Sequence, residues 1–374
     1  MPLNRATMFR FVALFLCASL HSAGFAAEAL SDGPYVLQDR DANWIALSIR
    51  DGKAAHASTR IGAEISVPNV GSVPSFEVRL REPGSPPPST VSLPHEVPIF
   101  VVADTHGELE IAVTLLRAHE IIDGSLRWSF GKGHLAILGD VFDRGAHQTE
   151  LLWLLYKLEA EAERAGGAVH LILGNHESMV LLGDDRYLNA KYKEATKAIG
   201  APHYAALWSD KTLLGQWLRT RPSVMKIRDL LCLHGGLSPE AAARELTLEQ
   251  INATVRDALT ARHALPEPQQ TLVSFVMGPS GPLWYRGYFE PTNERHPRRA
   301  TTEEVGRVLD YFDARTILVG HTAVPTITPM YAGKVIAVQV YPRRDEEGQP
   351  VIEGVAIEKG RFFKALVDGS RVEL

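Results

Sequence analysis

From Pro98 onward, short apolar runs recur along the chain, each ending in a polar cluster, with stretches of helical spacing between them. The runs are Ile99 to Ala103, Leu135 to Leu138, Val169 to Leu173, Leu230 to Leu233 and Thr316 to Val319. Runs this short, dominated by Val, Ile and Leu, predict strands buried on both faces. Thr149 to Arg164 places leucines and Trp153 on one side, with Glu159, Glu161 and Glu163 among its polar positions, and so predicts a helix. The alternation of strand and helix predicts an α/β domain over residues 96–374. Its tail predicts further strands at Val335 to Val340 and Val351 to Ile357. Residues 178–226 carry Tyr and Trp in a mostly helical pattern and predict an insertion lying over the strand ends.

Residues 27–95 read differently. Short alternating segments such as Trp44 to Leu47 and Phe76 to Leu80 are broken often by Gly and Pro, which predicts a small β-rich module. Pro83-Gly84-Ser85-Pro86-Pro87-Pro88 predicts a semi-rigid linker. At the start of the chain, Arg5 and Arg10 precede a short apolar run, Phe11 to Leu20, and then small residues up to Ala27. That order predicts a signal peptide over residues 1–26, cleaved near Ala26, and a periplasmic or secreted protein. The run is too short for a comfortable membrane span, so no integral span is expected after cleavage.

Composition adds little to the fold and something to the function. The chain of 374 residues is 45% hydrophobic and 22% charged, ordinary for a globular protein, with a formal net charge of −5. Cleavage would remove Arg5 and Arg10 and no acid, giving −5 − 2 = −7. No basic stripe points to a nucleic acid. Of the two cysteines, Cys17 falls in the leader, so Cys232 would remain alone, inside an apolar run and expected to be buried and inert.

The chemistry sits at the ends of the runs. The first is followed by Asp104-Thr105-His106-Gly107 and the second by Gly139-Asp140-Val141-Phe142-Asp143-Arg144-Gly145. The third ends in Gly174-Asn175-His176-Glu177, the fourth in His234-Gly235-Gly236, the fifth in Gly320-His321-Thr322. Carboxyl ends of strands in α/β sheets open into a crevice, and five such loops can be aimed at one point. Carboxylate, amide and imidazole donors without thiolate suit hard or borderline divalent ions. A central carboxylate such as Asp140 can bridge two ions, and a pair about 3.5–4 Å apart clamps in-line displacement at phosphorus. The remaining histidines fall outside these clusters, with His147 expected at a helix start, and Gly131-Lys132-Gly133 is expected to be a turn.

The five clusters, in this order, resemble the signature motifs of the calcineurin-like metallophosphoesterases. Gly139 to Gly145, Gly174 to Glu177 and Leu233 to Pro239 resemble the phosphoprotein phosphatases, and the bacterial Shewanella-like branch in particular. The resemblance covers about residues 98–340 and implies two packed β-sheets flanked by helices. It implies a first metal on Asp104 and His106, a bridging Asp140, and a second metal on Asn175, His234 and His321. The ions expected are manganese, iron or zinc. It further implies Arg144 on the phosphate, His176 as general acid and Asp143 as its orienting partner. A second phosphate-binding arginine is expected after the His-Gly-Gly motif, and Arg286, in Trp284-Tyr285-Arg286-Gly287, is the candidate; Trp284 and Tyr285 suit core positions equally well. Ala103 stands where the family has Gly, and the C-terminal docking motif of the eukaryotic protein phosphatases is absent. The expected function is hydrolysis of phosphomonoesters without a covalent phospho-enzyme, on a phosphorylated protein (phosphotyrosine or phosphoserine/threonine) or a small phosphomonoester. The alternatives are a nucleotide or dinucleoside-polyphosphate hydrolase, and a catalytically silent phosphate-binding scaffold.

Overall fold

The computed structural model describes residues 29–261, 266–294, 296 and 298–374. The expected leader lies outside them.

All five apolar runs form strands, and their alternation explains why they are apolar throughout. In Ile99–Val102, Ile99 and Val101 pack between two sheets, while Phe100 and Val102 face the helices. In His134–Ile137, Ala136 points inward and Leu135 and Ile137 outward; in Leu230–Leu233, Leu230 and Cys232 point inward and Leu231 and Leu233 outward. A strand covered on both faces has no solvent side to mark as polar.

One six-stranded sheet runs Arg371–Glu373, Arg361–Ala365, Gly354–Glu358, Ile99–Val102, His134–Ile137, Ala168–Leu171. The last three are parallel, and the tail joins them antiparallel, with Val101 opposite Ala136 on one side and Val355 on the other. The second six-stranded sheet runs Thr328–Met330, Val335–Ala337, Thr316–Val319, Leu230–Leu233, Val224–Ile227, Thr90–Val91. Here Cys232 lies opposite Leu318 in parallel register. Side chains from both sheets fill the layer between them, including Ile99, Val101, Leu138, Met225, Cys232, Leu318 and Ile336. The predicted helix spans Gln148–Ala165, begins after His147 and ends on left-handed Gly166. Among the described residues no helix is long and apolar enough to cross a membrane.

Four boundaries differ from expectation. The strand expected at Val335 to Val340 ends at Ala337. The strand expected at Val351 to Ile357 is two: Pro350–Val351 pairs with Arg343–Arg344, and Gly354–Glu358 joins the first sheet. The insertion stops short of 226, because Val224–Ile227 is a sheet strand paired with Leu230–Leu233. The described part of the expected module, residues 29–95, forms the sheet Asp32–Gln38, Trp44–Arg50, Lys53–Ser58 and the hairpin Glu64–Val67, Phe76–Arg79, but does not stand apart. Trp153 Nε1 donates to the Pro34 carbonyl at 2.7 Å, Val67, Val78 and Leu80 share a core with Trp153 and Tyr156, and Thr90–Val91 extends the second sheet.

Two histidines at the far edge of the first sheet set an acid limit. His134 Nδ1 lies 2.8 Å from His170 Nε2, so one ring donates to the other and the doubly protonated pair is excluded. Burial pushes His134 down to about 4 and His170 to about 3, with Arg228 near the one and His134 and Arg221 near the other. The unfolded chain titrates near the ordinary 6.5. Between these values the unfolded state binds more protons, so stability rises with pH. The contribution is complete above about pH 6.5 and is lost as pH falls towards 4. Melting temperature against pH should show this limb, and a His134→Phe/His170→Leu double variant should flatten it. An unchanged limb would assign the acid loss to other groups.

Candidate active site

The strand ends meet through tight turns. Gly139 has φ +86°, and a Cβ there would stand 2.4 Å from the Gly174 nitrogen, so the loops bearing Asp140 and Asn175 cross at this glycine. A Cβ on Gly320 would stand 2.4 Å from Asp104 Oδ1. Several non-glycine residues are forced into the left-handed region: Asp104 (φ 34°), His106 (45°), Asp140 (52°), Asp143 (70°), Arg144 (68°) and His321 (62°). Each costs on the order of 1–3 kcal/mol and persists only where the surroundings over-determine it. Glu177 supplies much of that constraint. Its buried carboxylate accepts from the backbone N–H groups of Gly174 (2.6 Å), Asp140 (2.9 Å), Val141 (2.7 Å) and Phe142 (3.3 Å). The motif carried Glu177 in plain sight, but its role depends on a loop more than thirty positions away.

The imidazoles are aimed by carbonyls, which can only accept. His106 Nδ1 donates to Phe142 O at 3.0 Å and His234 Nδ1 to Leu138 O at 2.7 Å, leaving each Nε2 for the cleft. His234 Nε2 lies 2.8 Å from Asn175 Oδ1, and 3.1 Å from both Asp140 Oδ2 and His321 Nδ1. Two groups of donor atoms each close within 4.8 Å: His106, Asp140 and His176, and Asp140, His234 and His321. Asp140 belongs to both, as a bridging position requires. Asp104 stands just outside these groups, lining the same cleft, with its oxygens accepting the His321 N–H at 3.1 and 3.2 Å.

The electrostatics describe a site in need of cations. Burial pushes Asp104 up to about 7, and the neighbouring Asp140 carboxylate adds to this against the pull of His234. Burial also acts against ionised Asp140, yet His234, His176 and His106 together hold it well below the carboxylate range. His234 is buried too, but Asp140 and Asp104 raise it to about 9. Burial lowers His106 to about 4 and takes His321 well below its ordinary value, with His234 and Arg286 adding to the latter. Among the described residues, the buried Nε2 of His321 has no hydrogen-bond partner. Divalent ions would neutralise the crowded carboxylates and use the orphaned nitrogen, and the oxygen and nitrogen donors fit a pair of them.

Beside this cradle, His176 Nδ1 is bonded to Asp143 Oδ2 at 2.6 Å, and its Nε2 lies 3.8 Å from Asp140 Oδ2. Burial disfavours the imidazolium, but Asp143 and Asp140 outweigh it and raise His176 above its ordinary value. Arg144 is exposed, with its guanidinium 5.9 Å from the Tyr187 ring centre and 5.5 Å from that of Tyr341. Arg286, half-buried, donates to Thr322 Oγ1 at 2.8 Å. Both arginines line the same cleft of about 120 Å³ as Asp104, His106, Asp140, Asn175, His176 and His321. Trp284 lines it too, while Tyr285 is buried in the core. Cys232 is buried behind the site, and burial pushes its thiol to about 12. Tyr187, Gln339 and Tyr341 also line the cleft and carried no motif. A cavity of about 470 Å³ near Leu182, His203 and Arg219 holds none of these groups.

The sequence profile of the calcineurin-like phosphoesterases matches residues 97–325. Among solved structures, the chain is similar to a cold-active protein-tyrosine phosphatase of a psychrophilic Shewanella species. The two are 35% identical, with a TM-score of 0.79, over 92% of this chain and 99% of that one. It is also 28% identical to Shewanella-like protein phosphatase 1 of Plasmodium berghei over 61% of this chain and 62% of that protein. Over 33% of this chain it is 36% identical to Shewanella-like protein phosphatase 2 of Arabidopsis thaliana, covering 29% of that protein. The match thus spans less than two thirds of either curated relative. With the fold, the strand-end cradle and the profile in agreement, the chain belongs to the calcineurin-like phosphoesterase family and within it resembles the Shewanella-like protein phosphatases.

Proposed function

We propose that the protein is a phosphomonoesterase dependent on two divalent ions, acting on phosphorylated protein, with phosphotyrosine the leading substrate. The observation that carries this reading is one cleft in which Asp140 belongs to two donor groups while His176, backed by Asp143, and two arginines line its wall. Asp104, His106, Asp140, Asn175, His234 and His321 are the residues that would hold the ions. Lewis-acid activation of the water and of the ester is the chemistry such a pair supplies when bound. Arg144 and Arg286 bind and orient the phosphoryl oxygens, their planar forks suited to that geometry. His176 delivers a proton from Nε2 to the leaving oxygen, while Asp143 holds Nδ1 and fixes the tautomer. The aromatic rim of Tyr187, Trp284 and Tyr341, and the tyrosine phosphatase named among similar structures, support an aromatic leaving group. Beyond the rim, a cavity of about 500 Å³ shares Tyr187, Trp284 and Arg286 with the cleft and leaves room for a peptide side chain.

Turnover of phosphotyrosine peptide, phosphoserine peptide and a dinucleoside polyphosphate, with elemental analysis of the purified protein, tests this reading. Preference for the dinucleoside polyphosphate would replace it with the nucleotide hydrolase. No turnover by metal-replete protein that still binds phosphate would replace it with the scaffold.

The two arginines give a quantitative check. A charge-assisted contact contributes about 1.5–3 kcal/mol. Arg144→Ala and Arg286→Ala should each lower kcat/KM roughly 10- to 100-fold with metal content unchanged. If both hold one phosphoryl group, the double variant should lose less than the product of the two. A change under about twofold in Arg286→Ala, in both kcat/KM and phosphate inhibition, would remove Arg286 from the site.

Export is part of the same proposal, supported by the charge and apolar order of residues 1–26. N-terminal sequencing of the protein from a bacterial periplasm should begin near Ala27; intact Met1 in that fraction would refute cleavage.

A further inference from the structure

The loop that carries Asp143 and Arg144 is gripped along its length by the backbone of Tyr187 and by side chains outside the cleft. Arg144 N–H donates to Tyr187 O at 3.1 Å, and Asn189 Nδ2 donates to Arg144 O at 2.7 Å. Lys191 Nζ donates to Ala146 O at 2.7 Å. Gln148 N–H donates to the Tyr192 hydroxyl at 2.8 Å, and the Gln148 amide donates to the Tyr204 hydroxyl. The Gln148 amide oxygen in turn accepts the Asp143 N–H at 2.6 Å. Asp143 and Arg144 are consecutive non-glycine residues at φ 70° and 68°, a shape that lasts only under external constraint.

The grip is anchored from the other end of the chain. Lys191 Nζ lies 3.4 Å from Asp32 Oδ1 and 3.4 Å from Glu150 Oε1, and both carboxylates are buried. The Tyr35 hydroxyl donates to Asp32 Oδ2. Were Lys191 to swing out, two buried negative charges would be left facing each other, so the ammonium, and with it the Ala146 carbonyl, is pinned.

We propose that residues 187–204 form a clamp on the Asp143–Gln148 loop, that Lys191 of the clamp and Gln148 of the loop are positioning residues, and that the N-terminal strand Asp32–Gln38 locks the clamp through Asp32. The residues outside the family profile then act on the active site as well as on the core. The kinetic part of the proposal rests on the phosphatase reading; the structural part does not.

The test uses the full chain, metal-loaded, as Lys191→Met, Gln148→Leu and the charge-balanced double variant Asp32→Asn/Lys191→Met. Hydrogen–deuterium exchange at the amides of residues 144–148 should speed up tenfold or more in each, with the amides of strand Ile99–Val102 unchanged. Metal content should stay at the wild-type level, kcat/KM on an aryl phosphate should fall at least tenfold, and inhibition by inorganic phosphate should weaken. Lys191→Arg should recover part of the loss. Wild-type exchange in the loop of the folded variants, or acceleration spread evenly over the molecule, would overturn the clamp. If Lys191→Met does not fold, Gln148→Leu, which removes no charge, decides. If the wild type has no phosphatase activity, the function reading falls and the exchange data alone judge the clamp.

Discussion

Asp140→Asn is expected to abolish turnover and to lower the bound metal while leaving the fold intact. Asp140 is the one carboxylate common to both groups of donor atoms, so its negative charge would serve both ions of the proposed pair. The amide is nearly the same shape, and the Glu177 bonds to the Asp140 and Val141 N–H groups involve only backbone, so the loop should keep its path. What goes is one unit of buried charge. Loss of an outer partner of a metal ligand costs 10- to 100-fold in affinity or activity. Loss of the bridge itself should exceed about 100-fold in kcat and lower the bound metal well below two ions per chain. A thermal readout separates this from damage to the fold. Metal-free Asp140→Asn should still unfold cooperatively, at a temperature lowered by loss of the carboxylate that pairs with buried His234. The gain in melting temperature on adding metal, which follows ligand binding to the native state, should shrink or vanish. Full occupancy and activity in the variant would sink the site assignment.

His176→Ala is expected to keep both ions and lose rate according to the leaving group. The imidazole is bonded to Asp143 through Nδ1, and its Nε2 faces the cleft. General acid catalysis contributes about 10²–10⁴-fold. An alkyl phosphate leaves as a strongly basic alkoxide and needs that proton; an activated aryl phosphate leaves as a stable phenolate and needs it much less. The loss should therefore approach the full factor on an alkyl ester and be at least tenfold smaller on the aryl ester. Asp143→Asn should act in the same direction and more weakly, since it removes the partner of the acid rather than the acid. Equal losses on both esters would mean that His176 positions substrate or metal instead.

Both predictions rest on residues legible in the sequence, and the reason is local. Asp104, His106, Asp140, Asn175, His234 and His321 each follow a run whose apolar residues alternate between two buried faces. A strand of that kind delivers whatever comes next to the sheet edge, so position and residue type are enough. Arg286 was weaker, with only Trp284 and Gly287 around it, yet it reaches the cleft because Thr322, next to His321, holds its guanidinium. Tyr187, Gln339 and Tyr341 gave no signal: one lies in the insertion, the others just past the end of a short strand, where nothing nearby specifies direction.

What the sequence determined by itself was therefore the α/β class, the core of each strand and the chemistry at its end, all set by hydrophobic period and residue type over a few positions. Only the tertiary structure decided that Glu177 ties together the turn bearing Asp140, and that Asp32 and Tyr35 reach across more than a hundred positions to Lys191 and Thr149. It also decided that residues 29–95 share one hydrophobic core with the α/β domain. Such contacts join polar groups whose individual residue types are common everywhere. Their partners become defined only when two sheets have paired, closed on a shared apolar layer, and brought distant loops to hydrogen-bonding distance.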